Sequence, residues 1–210
     1  MRGIYLVTDR SLCRGRPLAQ IIRQALEGGV DYVQLREKEI SSRDFIDETR
    51  EIKKILEPYH IPLIINDRVD VALVCGAAGV HLGQSDMSYS AARKKLGEKA
   101  IIGLSVETWQ EVEEAEKLNI SYIAASPVFV TPTKTDTKEP WGLEGLKKIK
   151  QFSRHPIVAI GGINETNISD VIGAGADCIA VVSAICAADN PEIAVRSLKN
   201  LMDMAIEANK

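Results

Sequence analysis

The sequence predicts an α/β fold, a single (β/α)8 barrel of the TIM type occupying residues 1–210. Short β-branched apolar runs alternate with longer amphipathic stretches along the whole chain, the pattern of repeated βαβ units. Eight such runs fit within 210 residues and leave little room for a second domain. No dinucleotide-binding fingerprint follows any of them, which favours closure into a barrel over a doubly wound open sheet.

The expected strands are, in order, "GIYLVTD" (3–9), "DYVQLRE" (31–37), "IPLIIND" (61–67), "AGVHLGQ" (78–84), "AIIGLSV" (100–106), "SYIAASPV" (121–128), "PIVAIGG" (156–162) and "CIAVVSA" (178–184). Each is short and nearly continuous in apolar residues, as parallel strands covered on both faces must be. Between them lie helical patterns such as "RDFIDETREIKKILE" and "ETWQEVEEAEKL". Glycines stand just ahead of several strands, in "EGGVDYV", "CGAAGVHL" and "GAGADCI". There they end a helix and turn the chain into the next strand.

Composition narrows the partners. Hydrophobic residues make up 45% of the chain and charged residues 26%, with a net charge of −3. That balance gives no reason to expect nucleic acid or an anionic membrane as partner. The cysteines, Cys13, Cys75, Cys178 and Cys186, form no CxxC pair and sit at no metal-like spacing from His60, His81 or His155. They read as buried or idle thiols. The start "MRGIYLVTDR" meets an acidic residue too soon for a signal peptide, and no apolar run reaches membrane-spanning length, so a cytoplasmic location is expected. Apolar helix faces could serve a homo-oligomer as readily as the barrel shell.

In such barrels chemistry gathers on the loops after the strands' C-terminal ends. After strand 2, side-chain alternation puts Gln34, Arg36 and Lys38 on one face and Leu35 and Glu37 on the other. Two cations and an amide at the mouth suit an anion. Strand 3 ends in Asn66 and Asp67, and strand 4 leads to Asp86. Asp67 alone could cap the helix that follows. Together, two carboxylates on adjacent exits suit Mg2+, which takes one or two protein carboxylates plus phosphate oxygens. His81 reads as a hydrogen-bonded residue of the barrel interior. Ser105 ends strand 5 with no general-base partner evident, so it does not read as a nucleophile.

After strand 6 comes the loop "SPVFVTPTKTDTKEPWG" (126–142), in which Thr131, Thr133 and Lys134 offer hydroxyls, amides and charge. Pro132 stiffens this half. The rest, from Thr135 to Trp141, is expected to be a mobile cover. Strands 7 and 8 end in Gly161–Gly162 and Val182–Ser183, where barrels of this type often bind phosphate through backbone amides and a helix N-terminus.

The mouth thus carries two anion features. One combines Arg36, Lys38, Lys134, Asp67 and Asp86; with a bound Mg2+ its charge sums to about plus three, suited to a diphosphate. The other is neutral, made of Gly161, Gly162, Val182, Ser183 and the loop threonines. With no nucleophile–base pair and no cofactor lysine evident, a metal-bound diphosphate reads as a leaving group whose growing charge is stabilised electrostatically. A second, singly phosphorylated substrate would fill the neutral side. The residues alone therefore lead to a transferase joining two phosphorylated small molecules.

The set "YLVTD", "VQLREK", "INDR", "GVHLGQSD", "GLSV", "SPVFVTPTK", "AIGGI" and "VVSAI", in this order and spacing, closely resembles the thiamine phosphate synthase family over residues 5 to about 185. The resemblance implies a (β/α)8 enzyme. It would couple hydroxymethylpyrimidine diphosphate to a (carboxy)thiazole phosphate and release diphosphate. It also implies that Gln34, Leu35, Arg36, Glu37, Lys38, Asn66, Ser105 and Lys134 bind the pyrimidine diphosphate, with Arg36, Lys38, Ser105 and Lys134 as the catalytic set. Asp67 and Asp86 would hold Mg2+. Thr131, Pro132, Thr133, Gly161, Gly162, Val182 and Ser183 would bind the thiazole phosphate. A homologous barrel, the thiazole tautomerase, would need a base and could dispense with the diphosphate site. An idle regulatory barrel would not need both carboxylates. An isomerase of amino-acid biosynthesis would need an acid–base pair at opposite strand ends, and none is evident.

Overall fold

The computed structural model describes residues 1–131 and 138–209. Eight parallel strands pair in sequence order and close on themselves: β1 (Gly3–Val7), β2 (Tyr32–Leu35), β3 (Leu63–Asn66), β4 (Gly79–Leu82), β5 (Ile101–Val106), β6 (Tyr122–Ala125), β7 (Ile157–Ile160) and β8 (Cys178–Val181). Each lies inside the run expected for it. Closure is made by β1 against β8, with Tyr5 opposite Ala180. The helices among the described residues are α1 (Leu18–Glu27), α2 (Ser42–Leu56), α3 (Val69–Cys75), α4 (Tyr89–Leu96), α5 (Trp109–Ala115), α6 (Gly142–Phe152), α7 (Ile168–Gly173), α8 (Ser183–Cys186) and α9 (Pro191–Ala208).

Strand alternation divides the apolar residues into two layers. Ile4, Leu6, Val33, Leu35, Leu63, Ile65, Val80 and Leu82 point outward and pack with the helices in one large core. Tyr5, Val7, Ile64, Tyr122, Ala124, Val158, Cys178 and Ala180 point inward and fill the barrel. Each fully buried Leu, Ile or Val contributes about 1.5–3 kcal/mol, so the outer layer, with many more such residues, carries most of the stability. The inner layer is smaller and more polar, which leaves its upper end free for a site. All four cysteines are free and buried.

Helix boundaries follow their caps. In α2, Ser41 Oγ accepts from the Asp44 amide at 3.1 Å, and Phe45, Thr49, Ile52 and Leu56 line the buried face. The α5 pattern begins at Glu107 in sequence, but the helix starts at Trp109, because Thr108 and Glu111 form a reciprocal capping box. The expected glycine turns are present: Gly29, Gly76 and Gly175 have φ of 90°, 59° and 105°, accessible to glycine with little strain. Among the described residues no helix is long and apolar enough to cross a membrane.

At the lower end of the barrel one device recurs. Asp31, Ser121 and Asp177, each just ahead of its strand, accept the amide of a neighbouring strand's residue: Ile4 at 2.8 Å, Ile102 at 3.1 Å and Ile157 at 2.8 Å. Both carboxylates are also tied to helices, Asp31 to Lys199 of α9 at 2.9 Å and Asp177 to Lys150 of α6 at 2.7 Å. Replacing Asp177 by Ala leaves the Ile157 amide without its acceptor and should cost about 1–3 kcal/mol. Asp177→Asn, which keeps an acceptor oxygen, should cost less; a urea midpoint equal to wild type in Asp177→Ala would refute the assignment.

Candidate active site

The upper end of the barrel opens into a cavity of about 520 Å3. Its wall is laid down by successive strand exits. Gln34 on β2, Asn66 on β3, His81 on β4 and Ser105 on β5 point inward and line it. Arg36 and Lys38 continue the Gln34 face beyond the strand, as alternation requires, and line it too. Asp67, Asp86, Thr131, Gly161, Gly162, Val182 and Ser183 complete the set. Residues from six different strand exits therefore meet in one space.

Two of the expected residues do not offer their side chains to it. Leu35 is fully buried in the outer core, and Glu37 pairs with Arg10 at 3.2 Å. Both have the outward parity, so any contact they make with a ligand must come from the backbone. Pro132, Thr133 and Lys134, and the proposed cover from Thr135 to Thr137, lie outside the described residues. The far end of that cover needs correction. Trp141 is half-buried, its indole donates to the Val106 carbonyl at 3.0 Å, and its amide donates to the Pro127 carbonyl at 2.9 Å. It anchors the loop to β5 and to the exit of β6.

Asp67 does not cap α3. The N-cap position is Arg68, and no side chain caps it. Asp67 instead has a φ of 60° and turns its carboxylate to the mouth, where Lys38 Nζ lies 2.5 Å from Oδ2. Asp86 folds back so that its Oδ2 accepts from the Gly83 amide at 2.7 Å. The two carboxyls are in hydrogen-bond contact, and this drives their proton affinities apart. Burial works to raise Asp67, but its bond to Asp86 and the Lys38 ammonium outweigh it and hold the carboxyl below its usual range. Burial, then the contact with Asp67, raises Asp86. Two neighbouring carboxyls that act on each other's proton affinity form a site where a cation can take the place of a proton. Asp67 and Asp86 therefore fit a hard divalent ion that completes its shell with ligand oxygens and water. Among the described residues no group of three or more His, Cys, Asp or Glu gathers as a self-sufficient metal cage.

Arg36 lines the same cavity, its Nη1 3.4 Å from Asp9 Oδ2 and its amide bonded to Thr8 Oγ1 at 2.9 Å. The opposite side of the cavity is neutral. Gly161 and Gly162 have φ of 104° and 67°. A Cβ at either would meet the β6 loop, at 2.6 Å from Pro127 Cβ and 2.8 Å from Phe129 Cβ. The glycines are thus required by packing against that loop, a reason the sequence reading did not supply. Their carbonyls are engaged there, by the Phe129 amide at 3.0 Å and Asn167 Nδ2 at 2.9 Å. Val182 and Ser183 line this side of the mouth and open α8, whose first amides have no acceptor within the helix.

Sequence reasoning missed the floor. Tyr5 and Tyr122 reach the cavity from β1 and β6, with their hydroxyls 3.1 Å apart. Gln34 Nε2 lies 2.9 Å from Tyr5 Oη, and Tyr122 Oη lies 3.0 Å from His81 Nδ1. Burial raises both phenols, so they keep their protons. His81 Nε2 lies 2.9 Å from Ser105 Oγ, which corrects the expectation that no imidazole stands near that serine. The reason is register: His81 pairs with Gly103, so Ser105 is the next inward residue on β5. The signal for the tyrosines was available, since "SYIAA" alternates a large polar-tipped residue with a small one at inward parity.

A profile of the family described as "Thiamine monophosphate synthase" matches residues 4–185. A protein of Albidiferax ferrireducens named thiamine-phosphate synthase is 52% identical over 200 residues, covering 95% of this chain and 91% of its own length. One of Leptospira biflexa with the same name is 52% identical over 204 residues, covering 95% of this chain and 97% of its own. Among solved structures, a thiamine phosphate pyrophosphorylase from Pyrococcus furiosus superposes with a TM-score of 0.88 at 36% identity, over 97% of this chain and 96% of that one. Sequence, fold and the gathering of the strand-exit residues agree, and the chain belongs to the thiamine monophosphate synthase family, a family of transferases.

Proposed function

We propose that this chain makes thiamine phosphate from 4-amino-2-methyl-5-hydroxymethylpyrimidine diphosphate and a (carboxy)thiazole phosphate, releasing diphosphate and, from the carboxylated thiazole, CO2. The observation that carries the reading is the division of one cavity into a charged side, with Arg36, Lys38, Asp67 and Asp86, and a neutral backbone side, with Gly161, Gly162, Val182 and Ser183. The first suits a diphosphate and the second a single phosphate.

Arg36 and Lys38, joined by Lys134, hold the diphosphate oxygens and meet the charge that grows as the bridging C–O bond breaks. Mg2+ held by Asp67 and Asp86 would add charge neutralisation on the same oxygens. The aminopyrimidine delocalises the methylene cation left behind, and the thiazole nitrogen attacks it. No protein base is needed, since the nucleophile is a ring nitrogen. Amides at Gly162 and at the start of α8, with Thr131 and Thr133, hold the thiazole phosphate so that its nitrogen faces the cation.

The direct test is incubation with both substrates and Mg2+: thiamine phosphate and diphosphate should appear together, and conversion of the thiazole alone would overturn the reading. Asp67→Asn and Asp86→Asn should each lower kcat by about 100-fold or more with the fold intact. Near wild-type turnover of Asp67→Asn at limiting Mg2+ would remove the two-carboxylate assignment. Because Asp86 is raised, protons compete with a cation for the pair at a higher pH than they would at an ordinary carboxylate. Mg2+ binding to the resting protein should therefore weaken as pH falls towards and through that raised value, and calorimetry within that pH range, in buffers of different ionisation enthalpy, should show proton release. In single-turnover assays Lys134→Ala should slow cleavage of the diphosphate; an unchanged rate would refute its role.

A further inference from the structure

The buried polar chain Gln34–Tyr5–Tyr122–His81–Ser105 crosses the barrel interior from β2 to β5 and ends at the cavity wall. Its successive contacts are 2.9, 3.1, 3.0 and 2.9 Å. Each phenol has one hydrogen to give, and each ring nitrogen of a neutral imidazole either gives or accepts. Both phenols are buried, so leaving either hydrogen without an acceptor would be costly, and the direction of the first bond sets the direction of the rest. Gln34 turns Nε2, which can only donate, towards Tyr5. The Tyr5 hydrogen then goes to Tyr122 Oη, and the Tyr122 hydrogen goes to His81 Nδ1. The imidazole proton must sit on Nε2, where it is donated to Ser105 Oγ. The serine's own hydrogen is left to point into the cavity.

The reversed chain would do the opposite. With the Gln34 oxygen against Tyr5, every hydrogen would run back towards β2, Ser105 would give its hydrogen to His81, and only lone pairs would face the ligand. A substrate rich in anionic oxygens favours the first direction, because it needs donors at the wall. The rings are also held in place for it. His81 and Tyr122 stack at 17° with centroids 5.6 Å apart. A Cβ at Gly103 would lie 2.0 Å from Tyr122 Cζ, so the glycine of "GLSV" is the space through which this ring passes.

We propose that Tyr122, backed by Tyr5 and Gln34, is a positioning residue. It holds His81 in the Nε2–H form so that Ser105 donates to the pyrimidine diphosphate rather than to the imidazole. The kinetic part of this proposal rests on the function proposed above; the hydrogen-bond direction does not.

The test has two arms. Nitrogen-15 spectra of histidine-labelled resting enzyme at neutral pH should show His81 protonated on Nε2 and bare on Nδ1. In Tyr122→Phe, which keeps the ring and removes the hydroxyl, that preference should be lost. Kinetically, Tyr122→Phe should lower kcat roughly 10- to 100-fold, with the KM for the diphosphate substrate changed less than about threefold. The double variant Tyr122→Phe/Ser105→Ala should be no slower than Ser105→Ala, since Tyr122 acts through that hydroxyl. Tyr5→Phe, one step further back, should shift the His81 signals in the same sense and provides the comparison should Tyr122→Phe fold poorly. An Nδ1–H form in the wild type, an unchanged kcat in Tyr122→Phe, or losses that multiply in the double variant would each overturn the proposal. A wild-type enzyme that makes no thiamine phosphate would defeat the function proposed above, while the tautomer would still decide the relay.

Discussion

A closed barrel leaves a side chain only two destinations, and which one it takes is set by residue parity and strand register. Val7 lies opposite Gln34, Asn66 opposite His81, and His81 opposite Gly103. These pairings fix the height at which each inward residue sits. Inward residues low in the barrel pack against one another and those at the exits have only the mouth to fill. Gln34, Asn66, His81 and Ser105 come together at the mouth because they share the inward parity and each stands at or near the exit end of its strand. A one-residue slip of any strand would send its member of that set into the outer core and bring an apolar residue inside. Parity similarly explains why Leu35 and Glu37, though adjacent to Gln34 and Arg36 in sequence, leave the cavity to their neighbours.

Stability and chemistry are thereby assigned to different layers. The outer core, between sheet and helices, is almost wholly aliphatic and holds the barrel together. The interior gives up aliphatic packing for two phenols, an imidazole and an amide, all hydrogen-bonded. Buried groups of this kind stabilise only when each donor finds its acceptor. At the mouth the compromise goes further, since Asp67 stands close enough to Asp86 to disfavour the charged form of that second carboxyl. That arrangement would suit the ligands proposed above, a cation together with anionic oxygens.

Much of this was legible in the chain. The alternation of apolar runs located all eight strands, and the parity of "VQLREK" separated Gln34, Arg36 and Lys38 from Leu35 and Glu37. What stayed hidden depended on distance across the barrel. The closeness of Ser105 to His81 depends on the β4–β5 register, which no local pattern reveals. The φ of 60° at Asp67, which frees it from the capping role its position suggested, is a property of the turn. The glycine pair after β7 looked like a phosphate cradle alone, while its need for small residues also comes from a loop more than thirty positions earlier. Trp141, read as part of a cover, is held by a carbonyl of β5, a partner that sequence proximity does not point to.

The seam between β1 and β8 has a consequence for how the protein is made. Synthesis delivers β1 first and its second partner last, with some 170 residues between Val7 and Cys178. Until β8 emerges, one edge of β1 has unpaired backbone groups, and its five residues are all ones that end up buried. The strands between can pair progressively as they leave the ribosome, but the seam cannot, and the last helix, which binds Asp31 through Lys199, comes later still. A nascent chain of this protein therefore spends most of its translation with an adhesive apolar edge exposed. Slow synthesis or a stall late in the message would extend that interval, so the cellular yield should depend on translation rate and chaperone supply more than the stability of the finished barrel would indicate.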